Sequence, residues 1–218
     1  MIHRSRFLRA GMAVAIGAAA LAFAWLPAGN TVQDARENTH SAVFAGGCFW
    51  GIEAVFEHTR GVVSSVSGYA NGDVPNPTYR QVTTGTTGYA ESVRVTYEPS
   101  KVSYEQLLEI FFAVHDPTQL NRQGPDVGPS YRSAIFYQND GQRRAAEAYI
   151  ARLTKEAGFA RDIVTAVEPL KNFYEAEAYH QDYLEHHTRQ PYIVINDLPK
   201  LDTLKERFPA LWREEGTS

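Results

Sequence analysis

The sequence predicts a single α+β domain in which helices cover a sheet. Two observations support this class: strand-like and helix-like segments alternate along the chain, and the strands differ in their apolar patterning. The chain has 218 residues, of which 44% are hydrophobic and 21% charged, which is enough for one sizeable core. No internal repeat with a period of roughly 20–50 residues occurs, so a repeat fold is excluded.

The first 28 residues are predicted to be a secretory signal peptide. Three arginines precede an apolar run over residues 10–26, and small residues follow it. We expect cleavage after Ala28, with Ala24 as the alternative, and a polar linker over residues 29–40. The run lies at the short edge of the ~20 residues that a spanning helix needs, so an uncleaved membrane anchor stays open. The chain is therefore expected to be exported, to the periplasm or outside the cell.

Four elements are predicted in the first half of the mature chain. An apolar strand over residues 42–45 stops at Gly46-Gly47, and apolar residues then recur at helical spacing from Ile52. Residues 62–69 have a strand pattern. Residues 91–97 alternate between two faces. One face holds Glu91, Val93, Val95 and Tyr97.

The second half opens on a capping box, in which Ser103 and Gln106 predict the start of a helix. The elements expected after it are a strand over residues 132–137, a helix through residues 146–153 that ends near Gly158, a strand over residues 163–167 and a helix over residues 174–186. The tail, residues 191–218, has a strand-like piece at residues 192–195 and an amphipathic end.

Two long polar stretches fit neither pattern. They cover residues 70–90 and residues 115–130. Loops longer than about 12–15 residues inside a compact domain are usually functional or disordered. Side chains suited to lining a site lie in these stretches, namely Tyr79, Arg122 and Asp126, and Tyr131 directly follows the second stretch.

Cys48 is the one cysteine of the chain. A lone cysteine excludes an intrachain disulfide framework, a zinc finger and a CxxC redox motif. An exported chain meets an oxidising compartment, where an unpaired cysteine is a reactive thiol or an intermolecular partner. Cys48 follows a strand and a Gly-Gly turn and precedes a helix, so the helix N-terminus is expected to stabilise its thiolate. The alternative is an inert, buried cysteine.

Charge and side-chain type restrict which partners, catalytic groups and metal sites the chain can have. The net charge of −4 and a pI near 6.0 argue against a nucleic-acid partner. Glu91 shares a face with Val93, so its carboxyl is expected to point inward with a raised pKa, as a general acid requires. The alternative is a carboxylate at the strand end that bends toward water. His180, His186 and His187 lack the HExxH spacing, and no metal site is expected.

Several motifs resemble those of peptide methionine sulfoxide reductase A. The resemblance extends from residue 41 to residue 190. It rests on Gly47-Cys48-Phe49-Trp50-Gly51, Pro75-Asn76-Pro77-Thr78-Tyr79, Ala90-Glu91, His115-Asp116-Pro117, Asp126-Val127-Gly128, Tyr131-Arg132-Ser133 and Ala176-Glu177 with Tyr179-His180-Gln181.

The resemblance implies a ferredoxin-like mixed sheet, covered by helices, in a catalytic domain over residues 41–190. It implies thiol-dependent reduction of the S epimer of methionine sulfoxide, free or in proteins, by a monomer without a bound cofactor. The roles it implies are Cys48 as nucleophile, Glu91 as acid, Tyr79 and Tyr131 as donors to the sulfoxide oxygen, Asp126 as support, and Phe49 and Trp50 as the methyl-binding walls.

Two departures from the family pattern affect these expectations. Many members carry recycling cysteines near the C-terminus, and the tail 191–218 has none. Regeneration of Cys48 is therefore expected to use an external thiol, from a thioredoxin-like protein or a small molecule. Tyr89 stands where the family usually has a histidine, which puts in doubt a hydrogen bond beside Glu91.

Two other classes of function compete with this one. A cysteine hydrolase or transferase would use His115 or His180 as its base, although no local signature of such enzymes is present. A non-enzymatic domain would bind oxidised methionine segments through its aromatic loops or sense redox state through Cys48.

Overall fold

The computed structural model describes residue 1, residues 38–156 and residues 161–217. The predicted signal peptide, most of the linker and the expected helix end near Gly158 lie outside the described residues. The helices are α1 (Phe49–Glu57), α2 (Tyr79–Val82), α3 (Tyr104–Val114), α4 (Asp140–Glu156), α5 (Tyr183–His186), α6 (Pro191–Asn196) and α7 (Leu198–Arg207). The strands are β1 (His40–Gly46), β2 (Val62–Ala70), β3 (Ala90–Tyr97), β4 (Arg122–Gln123), β5 (Asp126–Val127), β6 (Ser133–Tyr137), β7 (Ala166–Pro169) and β8 (Phe173–Glu175).

Six strands form one mixed sheet in the order β7-β6-β1-β3-β2-β8. Only β6 and β7 pair in parallel; the other neighbours are antiparallel. The chain order β1-α1-β2-β3-α3-β6 is the ferredoxin-like β-α-β-β-α-β arrangement. The predicted α+β fold with a helix-covered mixed sheet is confirmed.

The main core lies between this sheet and helices α1 and α3. Phe44 of β1 stacks on Phe56 of α1 at 5.3 Å and on Phe111 of α3 at 5.0 Å between ring centroids. The predicted alternation of β3 holds, since Val93 and Val95 are fully buried in the same cluster. The capping box also holds: Ser103 Oγ accepts from Gln106 N at 3.2 Å, which fixes the start of α3. Both helices are thus seated on the sheet by apolar contacts.

Two predicted elements are wrong. Residues 174–186 are not one helix but strand β8, a 3-10 turn at Ala178–His180 and the single-turn α5. Residues 173–175 pair with β2 and therefore adopt a strand rather than a helix. A helix through the later residues is interrupted at Asp182, which has a left-handed φ of 50°. Residues 192–195 are not strand-like but belong to α6, which starts at Pro191 and buries Ile193. Pro191 at the first helical turn overrides the β-branched run.

The C-terminal residues close over the C-terminal end of helix α1. Arg213 donates from its backbone N to His58 O at 3.0 Å and from Nε to Glu57 O at 2.6 Å, while Trp212 stacks on His58. These bonds satisfy carbonyls that a helix end leaves free. We call residues 211–217 the C-terminal clasp, and it gives the tail a structural role that the sequence did not indicate.

Two carboxyls of α1 are buried and hold protons. Glu53 is 1% and Glu57 2% exposed. Burial raises the pKa of Glu53 to about 8 and that of Glu57 to about 10, and a hydrogen bond with the Asp182 carboxyl adds to the second shift. At neutral pH the folded chain therefore binds protons that the unfolded chain releases.

We expect Glu57→Gln to become more stable, relative to the wild-type protein, as the pH rises from 6 to 8. A folded-state pKa above the unfolded value contributes stability that is complete below about pH 4 and is lost as the pH rises, at up to ~1.4 kcal/mol per pH unit. Glutamine binds no proton and removes this loss. Urea unfolding at each pH measures the difference in unfolding free energy between the variant and the wild-type protein. Glu206→Gln, at an exposed position of α7, is the control. Parallel stability curves for the wild-type protein and Glu57→Gln would contradict the assignment.

Candidate active site

Cys48 is the N-cap residue of α1, directly after the turn that ends β1. Gly47 makes this turn with a φ of 93°, and a Cβ there would lie 2.4 Å from Gln123 Cβ. Glycine is therefore required both by the backbone angle and by the close approach of the β4 side chain. The turn leaves Cys48 7% exposed at the edge of the core.

The resting state of Cys48 is a thiol. Burial raises its pKa well above the ordinary value, and the charges of Glu91 and Asp197 raise it further. The backbone N–H of Trp50 and the Lys200 ammonium oppose this rise. The helix N-terminus thus stabilises the thiolate, as expected, through the N–H of Trp50, but desolvation outweighs this effect and the thiol prevails.

Glu91 points into the protein and is 1% exposed, so the alternative in which it bends toward water is wrong. Its Oε2 accepts a hydrogen bond from the backbone N of Phe49 at 3.2 Å, which places the carboxyl one residue from Cys48. Among the described residues its Oε1 has no hydrogen-bond partner. Burial raises the pKa of Glu91 to about 8. A protonated carboxyl with one free oxygen therefore lies beside the thiol.

Two phenols from the long loops face the same centre. Burial, then Glu91 and Cys48, raise the pKa of Tyr79 to about 12, and a hydrogen bond with Tyr131 opposes the rise. Burial and Glu91 also raise the pKa of Tyr131. Both hydroxyls thus remain protonated at neutral pH and are available as uncharged donors. The predicted loops bring their tyrosines to Cys48 and Glu91.

The other two loop residues differ in position. Asp126 accepts a hydrogen bond from the Tyr192 hydroxyl, and its charge acts on both Glu91 and Tyr131. Arg122 is exposed and donates from Nε to Gly124 O at 2.8 Å, within its own hairpin. Asp126 therefore belongs to the site, and Arg122 does not.

Aromatic rings form the wall beside Cys48. Phe49 is 1% exposed, and Trp50 stacks on Tyr183 with centroids 3.8 Å apart. Trp50 Nε1 donates to His180 Nδ1 at 3.1 Å, and the His180 ring also contacts Tyr79 at 4.4 Å. The indole is held on one face by Tyr183 and at its edge by His180, which gives the wall a fixed orientation.

The segment after β8, expected to be a solvated helix face, instead supports this wall. His180 is 2% exposed. Glu177 accepts from the backbone N of Tyr79 at 2.9 Å and from the Tyr69 hydroxyl at 2.7 Å. The only sequence signal for these residues was their place in the family motifs, because their periodicity suggested a surface helix.

Neither candidate histidine base serves Cys48. His115 Nδ1 donates to Phe111 O at 2.7 Å, so its Nε2 accepts from Ser133 Oγ at 2.8 Å. Burial lowers the pKa of His115 to about 4, and it stays neutral. His180 Nδ1 is occupied by Trp50. The geometry gives no support to a cysteine hydrolase.

Three site residues come from the C-terminal helices and were not predicted. They are Tyr192, Asp197 and Lys200. Tyr192 lies edge-on to Trp50 and reaches Asp126, whereas the charges of Asp197 and Lys200 act on Cys48. No motif or periodicity in residues 191–200 marks them as functional; only the packing of α6 and α7 on α1 brings them to the site.

Tyr89 supports a loop rather than Glu91. Its hydroxyl donates to Val74 O at 2.5 Å, and its ring fills the space beside Gly72, where a Cβ would lie 2.2 Å from Tyr89 Cδ2. The substitution of the family's histidine thus anchors the loop that leads to Tyr79.

Two kinds of feature are absent from the described residues. No group of three or more His, Cys, Asp or Glu side chains in residues 38–156 and 161–217 is placed to hold a metal ion. None of the helices in that part of the chain is long and apolar enough to cross a membrane.

The arrangement combines a nucleophilic sulfur, a protonated carboxyl, two neutral hydroxyl donors and an aromatic wall. Such a set suits attack on a polar S=O group that carries an apolar substituent. The carboxyl would protonate the oxygen while the sulfur attacks.

Sequence comparisons agree with this chemistry. A family model described as "Peptide methionine sulfoxide reductase" matches residues 40–211. The curated relative "Peptide methionine sulfoxide reductase MsrA 2" of Mesorhizobium japonicum is 52% identical over 184 residues, which is 84% of this chain and 94% of the relative. MsrA of Pasteurella multocida is 49% identical over 175 residues, 80% of this chain and 99% of the relative.

Solved structures show the same similarity. Mxr1 from Saccharomyces cerevisiae in reduced form aligns with a TM-score of 0.67 and 36% identity, covering 71% of this chain and 88% of that one. Methionine sulfoxide reductase A of Corynebacterium diphtheriae aligns with a TM-score of 0.63 and 38% identity, covering 70% and 77%. From its sequence, its fold and the composition of its site, this chain belongs to the peptide methionine sulfoxide reductase family.

Proposed function

We propose that this protein reduces the S epimer of methionine sulfoxide, free or in proteins, to methionine, with Cys48 as nucleophile and Glu91 as general acid. The observation that carries the proposal is the hydrogen bond from Phe49 N to Glu91 Oε2, which holds a protonated, otherwise unpaired carboxyl next to the thiol. Membership of the family supports the reaction class.

The first half-reaction needs a proton on the sulfoxide oxygen, because oxide is a poor leaving group. Glu91 donates that proton while the Cys48 sulfur attacks the sulfoxide sulfur. A bond forms between the two sulfurs, and the thiol proton of Cys48 passes to the Glu91 carboxylate. The S–O bond to methionine and the new S–S bond then break as an S–O bond to Cys48 forms, and methionine leaves with the electron pair restored to its sulfur. Cys48 is left as a sulfenic acid, the reversible stage of cysteine oxidation.

The other residues position the substrate. Tyr79 and Tyr131 donate hydrogen bonds to the oxygen without bringing a charge, and Asp126 holds this side of the pocket through Tyr192. Phe49 and Trp50 enclose the methyl group on the sulfur. With the oxygen, the methyl group and the attack direction all fixed, only one epimer presents its lone pair and side chain correctly. The family resemblance implies that this is the S epimer.

The second half-reaction draws on an external thiol. Cys48 is the only cysteine of the 218 residues, so no sulfur of this chain is available to attack the sulfenic acid. A thiol from a thioredoxin-like protein or a small molecule forms a mixed disulfide with Cys48 and releases water, and a second thiol frees Cys48.

The chain acts as a monomer that repairs oxidised proteins after export. The basic start, the apolar run and the small residues at positions 1–28 support export, to the periplasm or outside the cell, with an uncleaved anchor as the variant. The intact mass of the protein recovered from the periplasm or medium shows whether the signal peptide is cleaved. Loss of residues 1–28 is expected, and a full-length, membrane-bound chain would contradict cleavage.

With dithiothreitol as reductant, the purified protein should consume S-methionine sulfoxide and leave the R epimer, and Cys48→Ser should abolish the reaction. Chiral separation of the remaining sulfoxide measures both. Without reductant, the wild-type protein should release about one methionine per Cys48 and gain one oxygen by mass. Consumption of both epimers, or no turnover with an intact thiol, would reject the proposal, and multiple turnovers without reductant would reject the one-cysteine cycle.

Glu91→Gln should still bind the sulfoxide but slow sulfenic acid formation by roughly 10²–10⁴-fold at pH 7, since it has no proton to donate. Rapid-quench measurement of methionine in a single turnover tests this. Glu53→Gln is the matched control. Glu53 is an equally buried carboxyl in the middle of α1, and it accepts a hydrogen bond from Ser67 N of β2 instead of facing Cys48. An unchanged single-turnover rate in Glu91→Gln would remove Glu91 from the acid role.

A further inference from the structure

A buried ion pair from the C-terminal helices lies against the helix that carries Cys48. Lys200 Nζ is 2.8 Å from Asp197 Oδ1, and the Asp197 side chain is 0% and that of Lys200 13% exposed. The pair packs directly over Gly51, where a Cβ would lie 2.2 Å from Asp197 Oδ1 and 2.8 Å from Lys200 Nζ. Gly51 is three residues after Cys48, so the pair lies beside the first turn of α1.

This pair is a poor candidate for stabilising the fold alone. Removing two charges from water costs several kcal/mol per ion, and a buried pair repays that only with excellent hydrogen bonding. Asp197 Oδ2 has no hydrogen-bond partner among the described residues. A pair that is incompletely bonded, yet kept beside the nucleophile, points to a role in the charge of the site.

The charged surroundings of Cys48 are strongly one-sided. The acidic and phenolic groups that face it or its neighbours are Glu91 from β3, Tyr79 from α2, Asp126 and Tyr131 from the second loop, and Tyr192 and Asp197 from the C-terminal helices. The opposing cation is Lys200, which lowers the pKa of the Cys48 thiol and also that of the nearby His115.

We propose that Lys200 is a positioning residue for the Cys48 sulfur: held in place by Asp197, its ammonium group stabilises the Cys48 thiolate, both when the thiolate attacks and when it leaves. The role deepens the proposed function and rests on it. In a chain without recycling cysteines, the C-terminal segment would contribute charge to the site in place of a second sulfur.

The last step of the cycle shows where the charge acts. An external thiolate attacks the external sulfur of the mixed disulfide, and a disulfide forms between the two external sulfurs. The bond to Cys48 breaks, and its electron pair leaves on the Cys48 sulfur as a thiolate. A cation beside that sulfur lowers the pKa of the leaving thiol, and thiols of lower pKa leave faster.

Two substitutions should move the Cys48 pKa in opposite directions. Lys200→Met removes the cation, so the thiol pKa should rise, and alkylation at pH 8 should slow up to about tenfold, as one pKa unit corresponds to a tenfold change. Asp197→Asn leaves the cation unopposed, so the pKa should fall and alkylation should accelerate. Lys200→Arg keeps the charge and should restore most of the wild-type profile.

The measurement is the rate of iodoacetamide alkylation of Cys48 from pH 6 to 10 on the folded full-length protein. It uses no sulfoxide, so it decides on Lys200 even if the proposed reaction fails. Lys205→Met is the matched control, since Lys205 is an exposed lysine on the same helix, paired with Glu214. If Asp197→Asn does not fold, the comparison of Lys200→Met, Lys200→Arg and Lys205→Met still decides.

A merely structural pair would change thermal stability in both variants without opposite shifts of the alkylation profile. Shifts in the same direction, or a Lys200→Met profile that matches Lys205→Met, would overturn the proposal. Opposite shifts with rescue by Lys200→Arg would support it.

Discussion

The hydrogen bond from the backbone of Phe49 to the Glu91 carboxyl is the contact on which the site depends. It joins the first turn of α1 to β3 and therefore requires the left-handed turn at Gly47, the seating of α1 on the sheet by Phe56, and the inward face of β3. Each of these is a consequence of ordinary apolar packing. The fold brings an acid and a sulfur together because the sheet places β1 and β3 side by side.

Burial has opposite consequences for these two groups. It keeps Glu91 protonated, which the acid role needs, and it keeps Cys48 protonated too, which the nucleophilic role does not. The N–H of Trp50 and the ammonium of Lys200 lower the pKa of Cys48 and so oppose the effect of burial on the sulfur. Attack by Cys48 therefore requires loss of the thiol proton, whereas Glu91 has to keep its own proton until the sulfoxide oxygen takes it.

Patterns that reflect local packing could be predicted from the sequence. The alternation of β3, the capping box of α3 and the turn before Cys48 all depend on neighbouring residues, and Glu91 lay within such a segment, whereas Tyr79 and Tyr131 were indicated by the length and composition of their loops. Contacts between distant segments could not be predicted. Pairing of β8 with β2 decided the structure of residues 173–175, and Tyr192 and Lys200 reach the site only because α6 and α7 pack on α1.

The burial of Ile193 has a consequence for the evolution of this chain. A recycling cysteine must travel to the oxidised sulfur, so the segment that bears it has to detach in every cycle. Here Ile193 is fully buried against Ala54 and Leu184, and the C-terminal clasp ties the following residues to the end of α1. The tail is a fixed wall rather than a moving arm. A single cysteine substitution in this segment would not make recycling self-sufficient, because the segment would also have to become free to move.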